Sequence, residues 1–387
     1  MDYVTLGYIV SIKGGKRLPA GVSLSQIEND HPYIRVRDLN NVRMLEKTED
    51  IEYVDDETQK SIARYIVDKG DIVISIVGTI GLIAIVGDSL HHANLTENCV
   101  RLTDISKDYD SLFLYYYLIS ELCQDEIKKR TVGAVQPKLP LKNIAMIPVP
   151  IIDLQTQKRI AGILSSLDDK IEVNNQINRN LEEQAFSFYN NQCNEAKQQC
   201  ELNSIAVLNP VRPLQKGTVA QSIDMAQLST TSAYPNPGVY KSYGGGMKFQ
   251  NGDTLLARIT PCLENGKTAY IDFLKDGEVA FGSTEYIVLS SRGKMPSQFF
   301  YCLARDKCFR DYATKHMNGS SGRQRVSADA LEKYMIPSIS EEAMKQFGQN
   351  VEPLFKLMRQ KADENIRLSS LRDTLLPKLM SGEISFL

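Results

Sequence analysis

The chain has 387 residues, 42% hydrophobic and 24% charged, with a formal net charge of -2. These are ordinary values for a soluble protein of two or three domains, and with no run of eighteen apolar residues no membrane span is expected. The start, Met1-Asp2-Tyr3-Val4-Thr5, lacks the basic-then-apolar build of a signal peptide. Seven cysteines at scattered positions (99, 123, 193, 200, 262, 302 and 308) are expected to be reduced thiols of a cytoplasmic protein.

Residues 1–152 read as a first α+β domain built on a curved or barrel-like sheet. Tyr33-Ile34-Arg35-Val36, Asp71 to Val77 and Gly81 to Val86 are β-like runs, Gly14-Gly15 is a turn signal, and Ser111 to Lys129 is a helical patch. Seven of the twelve residues from Glu46 to Glu57 are acidic, whereas Ile127 to Ile152 holds five basic residues and no acid. That polarity suits one face turned to DNA and one turned away, although solvated surface explains both runs equally well. Residues 153–199 follow as a long helix. A second α+β domain spans 200–338, with β-like runs at Leu255 to Ile259 and Thr268 to Ile271. Its turn signals are Gly244-Gly245-Gly246 and Asn265-Gly266, and its helical patch is Pro296 to Ala313. Residues 339–387 close the chain with a second long helix and a tail.

The two halves repeat one another. Leu6-Gly7-Tyr8-Ile9 with Gly21 matches Leu202-Asn203-Ser204-Ile205 with Gly217. Gly70-Asp71 matches Gly252-Asp253, and Thr96-Glu97 matches Thr284-Glu285. A Gly-containing polar loop, a short amphipathic turn and an Ile-Pro exit then run from Gly133 to Pro148 and from Gly319 to Pro337. The same features recur in the same order while the offset drifts between 182 and 196, as loops differ and scaffolds agree.

In the first long helix Ile160, Leu164, Leu167, Ile171, Asn174, Asn178, Leu181, Ala185 and Phe188 alternate steps of four and three, a heptad seam. The second carries Phe347, Val351, Leu354, Met358, Lys361, Asn365, Leu368, Arg372 and Leu375 at an offset of 187. Asn178 and Asn365 fall at equivalent seam positions, where a buried amide fixes register. Matched seams predict an antiparallel coiled coil between the domains, related by a pseudo-two-fold axis. The alternative is two amphipathic helices packed on their own domains. Roughly 35 helical residues would span about 50 Å, against about 34 Å for one turn of B-DNA.

Several loops hold residue types that reach phosphates and base edges. They are Lys13, Lys16 and Arg17; Gln136 and Lys138; Arg258, Thr260, Asn265 and Lys267; and Ser320, Ser321, Arg323, Gln324 and Arg325. Arg pairs with guanine and Gln with adenine because each makes two parallel hydrogen bonds. Arg35, Arg37 and Thr79 complete the candidates. An exposed solubilising side chain is the alternative at each position.

The arrangement resembles the specificity subunit of type I restriction–modification systems. The resemblance is carried by Pro32-Tyr33-Ile34-Arg35-Val36-Arg37-Asp38-Leu39, by Gly70-Asp71-Ile72-Val73 and Gly252-Asp253, and by Leu154-Gln155-Thr156-Gln157-Lys158-Arg159-Ile160-Ala161. It is carried further by Gly319-Ser320-Ser321-Gly322-Arg323-Gln324-Arg325-Val326 and by the tail Leu371-Arg372-Asp373-Thr374-Leu375-Leu376-Pro377-Lys378-Leu379-Met380-Ser381-Gly382-Glu383. It covers essentially the whole chain. It implies two target-recognition domains, each reading half of a bipartite DNA sequence, and helices that bind two methyltransferase subunits. It also implies an assembly that can add two translocating nuclease subunits. S-adenosylmethionine, ATP and magnesium are then expected on those partners and no cofactor on this chain. The pattern departs at Ser338-Ile339-Ser340-Glu341-Glu342, where the second helix lacks the Leu-Gln entry that Leu154-Gln155 keeps.

Catalytic motifs do not assemble. Asn209-Pro210 continues as Val211 and Asn236-Pro237 as Gly238, so neither makes the Asn-Pro-Pro-aromatic loop of an adenine methyltransferase. Pro261-Cys262 with Glu264-Asn265 lacks a Gly-rich cofactor loop. Gly266-Lys267-Thr268 has Pro261 where a phosphate loop needs its first glycine. The four histidines (His31, His91, His92, His316) show no metal-ligand spacing, and His91-His92 reads as a turn. Asp55-Asp56 and Asp168-Asp169 lack the downstream lysine of a metal nuclease. The readings that remain beside a specificity subunit are a stand-alone DNA-modifying enzyme with a duplicated domain and an adaptor that does not touch nucleic acid.

Overall fold

The computed structural model describes residues 2–39, 42–320 and 322–384. They form two compact units, Met1–Asp168 with Ser370–Leu387, and Asp169–Ser369. Among the described residues no helix is long and apolar enough to cross a membrane.

In chain order the first unit contains β1 (Tyr3–Thr5), α1 (Leu6–Ile9), β2 (Ser11–Gly14), β3 (Pro32–Ile34), β4 (Met44–Leu45), β5 (Glu52–Tyr53), α2 (Asp56–Ile62), β6 (Ile72–Ser75), β7 (Ile83–Val86), β8 (Asn94–Leu95) and β9 (Cys99–Thr103). It continues through α3 (Ser111–Ile119), α4 (Glu121–Arg130), α5 (Leu141–Ala145) and β10 (Pro148–Pro150) into the long helix α6 (Leu154–Glu195). One sheet runs β2-β9-β6-β7-β4, a second runs β5-β3-β8, and β1 pairs with β10. All neighbours are antiparallel except β4 with β7 and β3 with β8.

The second unit follows a similar order, without α-helical counterparts of α1 and α2. It contains β11 (Gln199–Glu201), β12 (Ala206–Leu208), β13 (Val219–Ile223), β14 (Val239–Ser242), β15 (Lys248–Phe249), β16 (Thr254–Ala257), β17 (Thr268–Tyr270), β18 (Ala280–Gly282) and β19 (Tyr286–Ser291). Then come α7 (Ser297–Arg305), α8 (Lys307–Lys315), α9 (Ala328–Glu332), β20 (Met335–Pro337) and the second long helix α10 (Glu341–Ser381). Its sheets run β12-β19-β16-β17 and β14-β13-β18-β15, with β11 on β20. The parallel pair β13 with β18 takes the place of β3 with β8. The curved or barrel-like sheet expected of each unit takes the form of two sheets packed face to face.

Strand pleating explains that arrangement. Ile72 and Ile74 of β6 join a core with the tyrosines and phenylalanine of α3, while Val73 between them joins Ile34 and Leu95 of the smaller sheet. In the second unit Leu256 faces α7 and Leu255 faces Ile223 and Phe249. A strand covered on both faces has no polar side and reads as a continuous apolar run.

The recurring Gly-Asp marks a turn with a physical job. Gly70 and Gly252 sit at φ 86° and 87°, a conformation glycine adopts without strain. Each following aspartate accepts the backbone N–H three residues back, Asp71 from Asp68 at 3.0 Å and Asp253 from Gln250 at 2.9 Å. Each is then clamped by an arginine, the buried Arg101 on Asp71 at 3.0 Å and the half-buried Arg212 on Asp253 at 2.8 Å.

Each helical patch read from the sequence as one helix is two. Ser120 and Asp306 are extended residues whose side chains accept the N–H of Cys123 and Phe309, so α4 and α8 restart on their own N-caps.

The long helices have 42 and 41 residues, more than the estimate of the spacer. Within the first unit Ile160 and Leu164 of α6 share a core with Leu376, Leu379 and Met380 of α10, and Arg372 binds Asp168 at 2.7 Å. Within the second, Leu181, Ala185 and Tyr189 pack with Met358, Phe355, Val351 and Phe347. Positions rise along α6 as they fall along α10, so the pairing is antiparallel. Leu354 packs at the edge of that core, and Leu167, Ile171 and Leu368 are half-buried. The second unit also holds a polar layer between its two helical segments. Asn365 Oδ1 accepts from Asn174 Nδ2 at 2.9 Å, and its own amide donates to Asn175 at 2.8 Å. Asn365 thus meets Asn174 and Asn175, while Asn178 Oδ1 is buried without a hydrogen bond. Both readings of the helices hold together: each packs on the α+β layers and on the other helix.

Candidate nucleic-acid interface

In each unit most of the candidate loops leave one end of the sheet that holds the central strand β6 or its counterpart β16. In the first unit β2 ends at Gly14, β9 begins at Cys99 and β6 ends at Ser75, three adjacent antiparallel strands reaching the same edge. Gly15 N–H donates to Cys99 O at 3.0 Å, Lys16 N–H to Leu95 O at 2.8 Å, Ile76 N–H to Asn98 O at 2.8 Å and Leu139 N–H to Ile76 O at 3.0 Å. A side chain at Gly15 would put its Cβ 1.9 Å from Thr96 O, so the basic loop lies directly on its neighbour only because that residue is glycine. The loop around Gln136 is closed by Lys138, which bridges both Val132 and Val77.

The second unit builds the same corner. Arg258 N–H donates to Glu285 O at 3.0 Å, Thr260 N–H to Gln324 O at 3.1 Å and Val326 N–H to Arg258 O at 3.0 Å. Asn318 and Arg325 exchange two backbone bonds of 2.9 Å, and Arg325 also bridges Ile259. Arg325 therefore occupies the place of Lys138, and Ile259 that of Val77.

The structure brings Lys16, Arg17, Thr79, Gln136 and Lys138 to one loop cluster in the first unit. It brings Arg258, Thr260, Asn265, Lys267, Ser320, Arg323, Gln324 and Arg325 to the corresponding cluster in the second. Ser321 lies outside the described residues. Gln136, Lys138, Thr79, Asn265, Ser320 and Arg323 are exposed. Others are engaged. Arg17 donates to Glu97 at 2.7 Å, Lys16 lies 5.7 Å above the Tyr65 ring, and Lys267 Nζ donates to Met225 O at 2.9 Å. Lys13 pairs with Asp104, beyond the far end of β9, at 3.3 Å. Arg35 and Arg37 both meet Glu52. Arg35 also donates its backbone N–H to Asp38 at 2.7 Å. Burial pushes the Asp38 carboxyl up to about 6 against the pull of Arg37.

Two glutamates act as loop anchors that sequence reasoning used only as repeat markers. Glu285 takes a bidentate grip from Arg325, whose hydrogen bonds hold it below the usual carboxylate range although partial burial opposes them. Glu97 is raised by burial, and Arg17, its own backbone and Thr96 outweigh that and hold it below its ordinary value. Their recurrence after a threonine at the start of an apolar strand was the available signal. Arg305 and Arg310, which back the turn at Gly266, left none. Arg305 donates to Thr230 O at 2.6 Å and Gly266 O at 3.3 Å, and Arg310 Nε is buried without a hydrogen bond. Guanidinium, amide and hydroxyl groups on rigidly seated loops can read base edges and phosphates.

Residues 1–183 match the model of the type I restriction modification DNA specificity domain. The chain is 21% identical to the type I restriction enzyme MjaIX specificity subunit of Methanocaldococcus jannaschii, over 92% of this chain and 87% of that one. It is 22% identical to the HindI specificity subunit of Haemophilus influenzae, over 70% and 77%. The crystal structure of a type I restriction-modification system S subunit from M. genitalium has the same fold, with a TM-score of 0.58 at 16% identity, covering 98% of this chain and 95% of that one. By these comparisons the chain is similar, along most of its length, to type I restriction-modification specificity subunits.

Proposed function

We propose that this chain supplies the DNA address of a type I restriction-modification complex and carries out no reaction itself. One observation supports this most directly: two modules that share the central order β2-β9-β6-β7 and β12-β19-β16-β17 each gather basic, amide and hydroxyl side chains at the same end of that sheet. A duplicated reader suits a bipartite target, with one half read by the first unit's loops and the other by the second's.

Its partners are double-stranded DNA and methyltransferase subunits. In the finer reading two methyltransferase subunits dock on α6 and α10, and the complex accepts two nuclease subunits in the cytoplasm. S-adenosylmethionine, ATP and magnesium then belong to those partners, which transfer the methyl group to adenine or cut. The test is a methylation assay with S-adenosylmethionine. The purified chain alone should leave DNA unmodified and bind a split site in a salt-sensitive way, and adding the partner methyltransferase should produce methyladenine at that site. Methylation by the pure chain would favour the enzyme reading. Absence of DNA affinity even with the methyltransferase would favour the adaptor reading.

A further inference from the structure

We propose that Asp68, His91 and His92 of the first unit form a binding site for a divalent transition-metal ion of the zinc class. The three are brought together by backbone pairing. Val67 N–H donates to Ala93 O at 2.9 Å and His92 N–H to Val67 O at 2.8 Å, so the turn before β6 and the turn before β8 run side by side. Adjacent side chains in extended backbone point to opposite faces. His92 instead has φ 68°, which brings its ring over that of His91, with centroids 3.7 Å apart. Both imidazoles then face one carboxylate oxygen: His91 Nδ1 and His92 Nε2 each lie 3.6 Å from Asp68 Oδ1.

That spacing fits a metal better than a direct hydrogen bond. A contact of 3.6 Å is too long for hydrogen bonding. Ligand atoms about 2.1 Å from a shared tetrahedral ion stand about 3.4 Å apart. All three ligand atoms lie within 4.8 Å of one another, and small ring rotations close the remainder. Imidazole and carboxylate together favour zinc, nickel or cobalt over the hard cations. His91 Nδ1 also faces the Lys69 backbone N–H at 3.3 Å, a long contact that the ring gives up when it turns its lone pair to the metal.

The neighbouring cations are already neutralised. Arg101 bonds Asp68 through Oδ2 at 3.3 Å and Asp71 at 3.0 Å, which leaves Oδ1 to the imidazoles. Lys69 is drawn to Asp88 at 2.6 Å. The second repeat serves as an internal control. Asp68 corresponds to Gln250, and no histidine lies between Gln250 and Gly282, so one site per chain is expected, in the first unit.

The test is titration of the full-length chain with cobalt(II), followed by optical absorption, alongside thermal unfolding with and without zinc(II). One saturable equivalent is expected, with nitrogen–oxygen ligand bands, no thiolate charge-transfer band and a zinc-dependent rise in Tm. His91→Gln, Asp68→Asn and His92→Asn should each weaken binding at least tenfold and abolish the rise in Tm. Asn tolerates the left-handed backbone at 92, and His91 is exposed, so the metal-free Tm of the two histidine variants should stay at the wild-type value. Cys308→Ser should change nothing. Unchanged binding in the His91→Gln, His92→Asn double variant, a thiolate band, or no saturable equivalent would overturn the proposal.

Discussion

Arg325 grips Glu285 with both arms of its guanidinium. Nε lies 2.9 Å from each carboxylate oxygen and Nη2 lies 2.7 Å from Oε1. The grip seats the 318–326 loop on the start of β19, and it commits the charge of Arg325 to the protein. Arg323, two residues earlier, is exposed. The two arginines of this loop therefore have different work, one holding the loop and one presented outward.

Substitution separates those roles. Arg323→Ala should weaken binding of the assembled complex to its DNA by about tenfold and leave Tm unchanged. Arg325→Ala and Glu285→Gln should both raise amide hydrogen exchange across 318–326. Equal exchange in all three variants would remove the distinction.

The Gly15 contact gives a second expectation. Gly15→Ala forces a Cβ against Thr96 O and Leu95 O, both backbone atoms. The first unit should lose about 2 kcal/mol or more in chemical denaturation, and affinity for one half of the target should fall while the other half is read as before. A variant as stable as wild type would show that the basic loop has room to move.

The polar layer between the long helices can be tested by a double-mutant cycle. Asn174→Leu alone leaves the Asn365 amide carbonyl without its donor in a half-buried place, at a cost of about 1–2 kcal/mol. Adding Asn365→Leu should recover much of that loss, because two apolar groups facing each other need no hydrogen bond, although register becomes less well defined. Strictly additive losses would mean that the two amides do not depend on each other.

Asp272 sets a pH dependence. Burial raises its carboxyl to about 6, against the pull of Arg359 and of the Tyr234 hydroxyl, which donates to it at 3.1 Å. The folded state then holds this proton more tightly than the unfolded chain, whose carboxyl has its ordinary value of 3.8. The second unit should gain stability from this group as pH falls from 7 towards 4. Asp272→Asn should stabilise the protein at pH 7.5 by roughly 1 kcal/mol, and the gain should shrink as pH is lowered through 6. Urea denaturation at stepped pH measures it, and a gain that grows on acidification would reverse the assignment.

Much of the architecture was legible because local chemistry repeats. Gly70-Asp71 and Gly252-Asp253 recur because both turns need a left-handed residue followed by a carboxylate that caps backwards. The seams from Ile160 and from Phe347 were visible because burial imposes the helical period. Other features depend on partners distant in sequence. Heptad counting matched Asn178 with Asn365 as repeat equivalents, but an antiparallel pair sets Asn365 against Asn174 and Asn175. Nothing in the period encodes that register. Ser120 splits a helix that apolar spacing alone would continue. Arg325 reads as a free base-reading fork until Glu285, forty residues earlier, takes it. His91 and His92 read as a turn, and the turn is there. Asp68 meets them only through the pairing of two strand entries.

On the proposed function, each unit reads its own half of a split target. Methylome sequencing of cells expressing the partner methyltransferase with a hybrid chain, in which residues 200–338 come from another specificity subunit, tests it most directly. One half of the methylated motif should change while the other half stays as it is in the parent. A hybrid that alters both halves, or neither, would contradict the account.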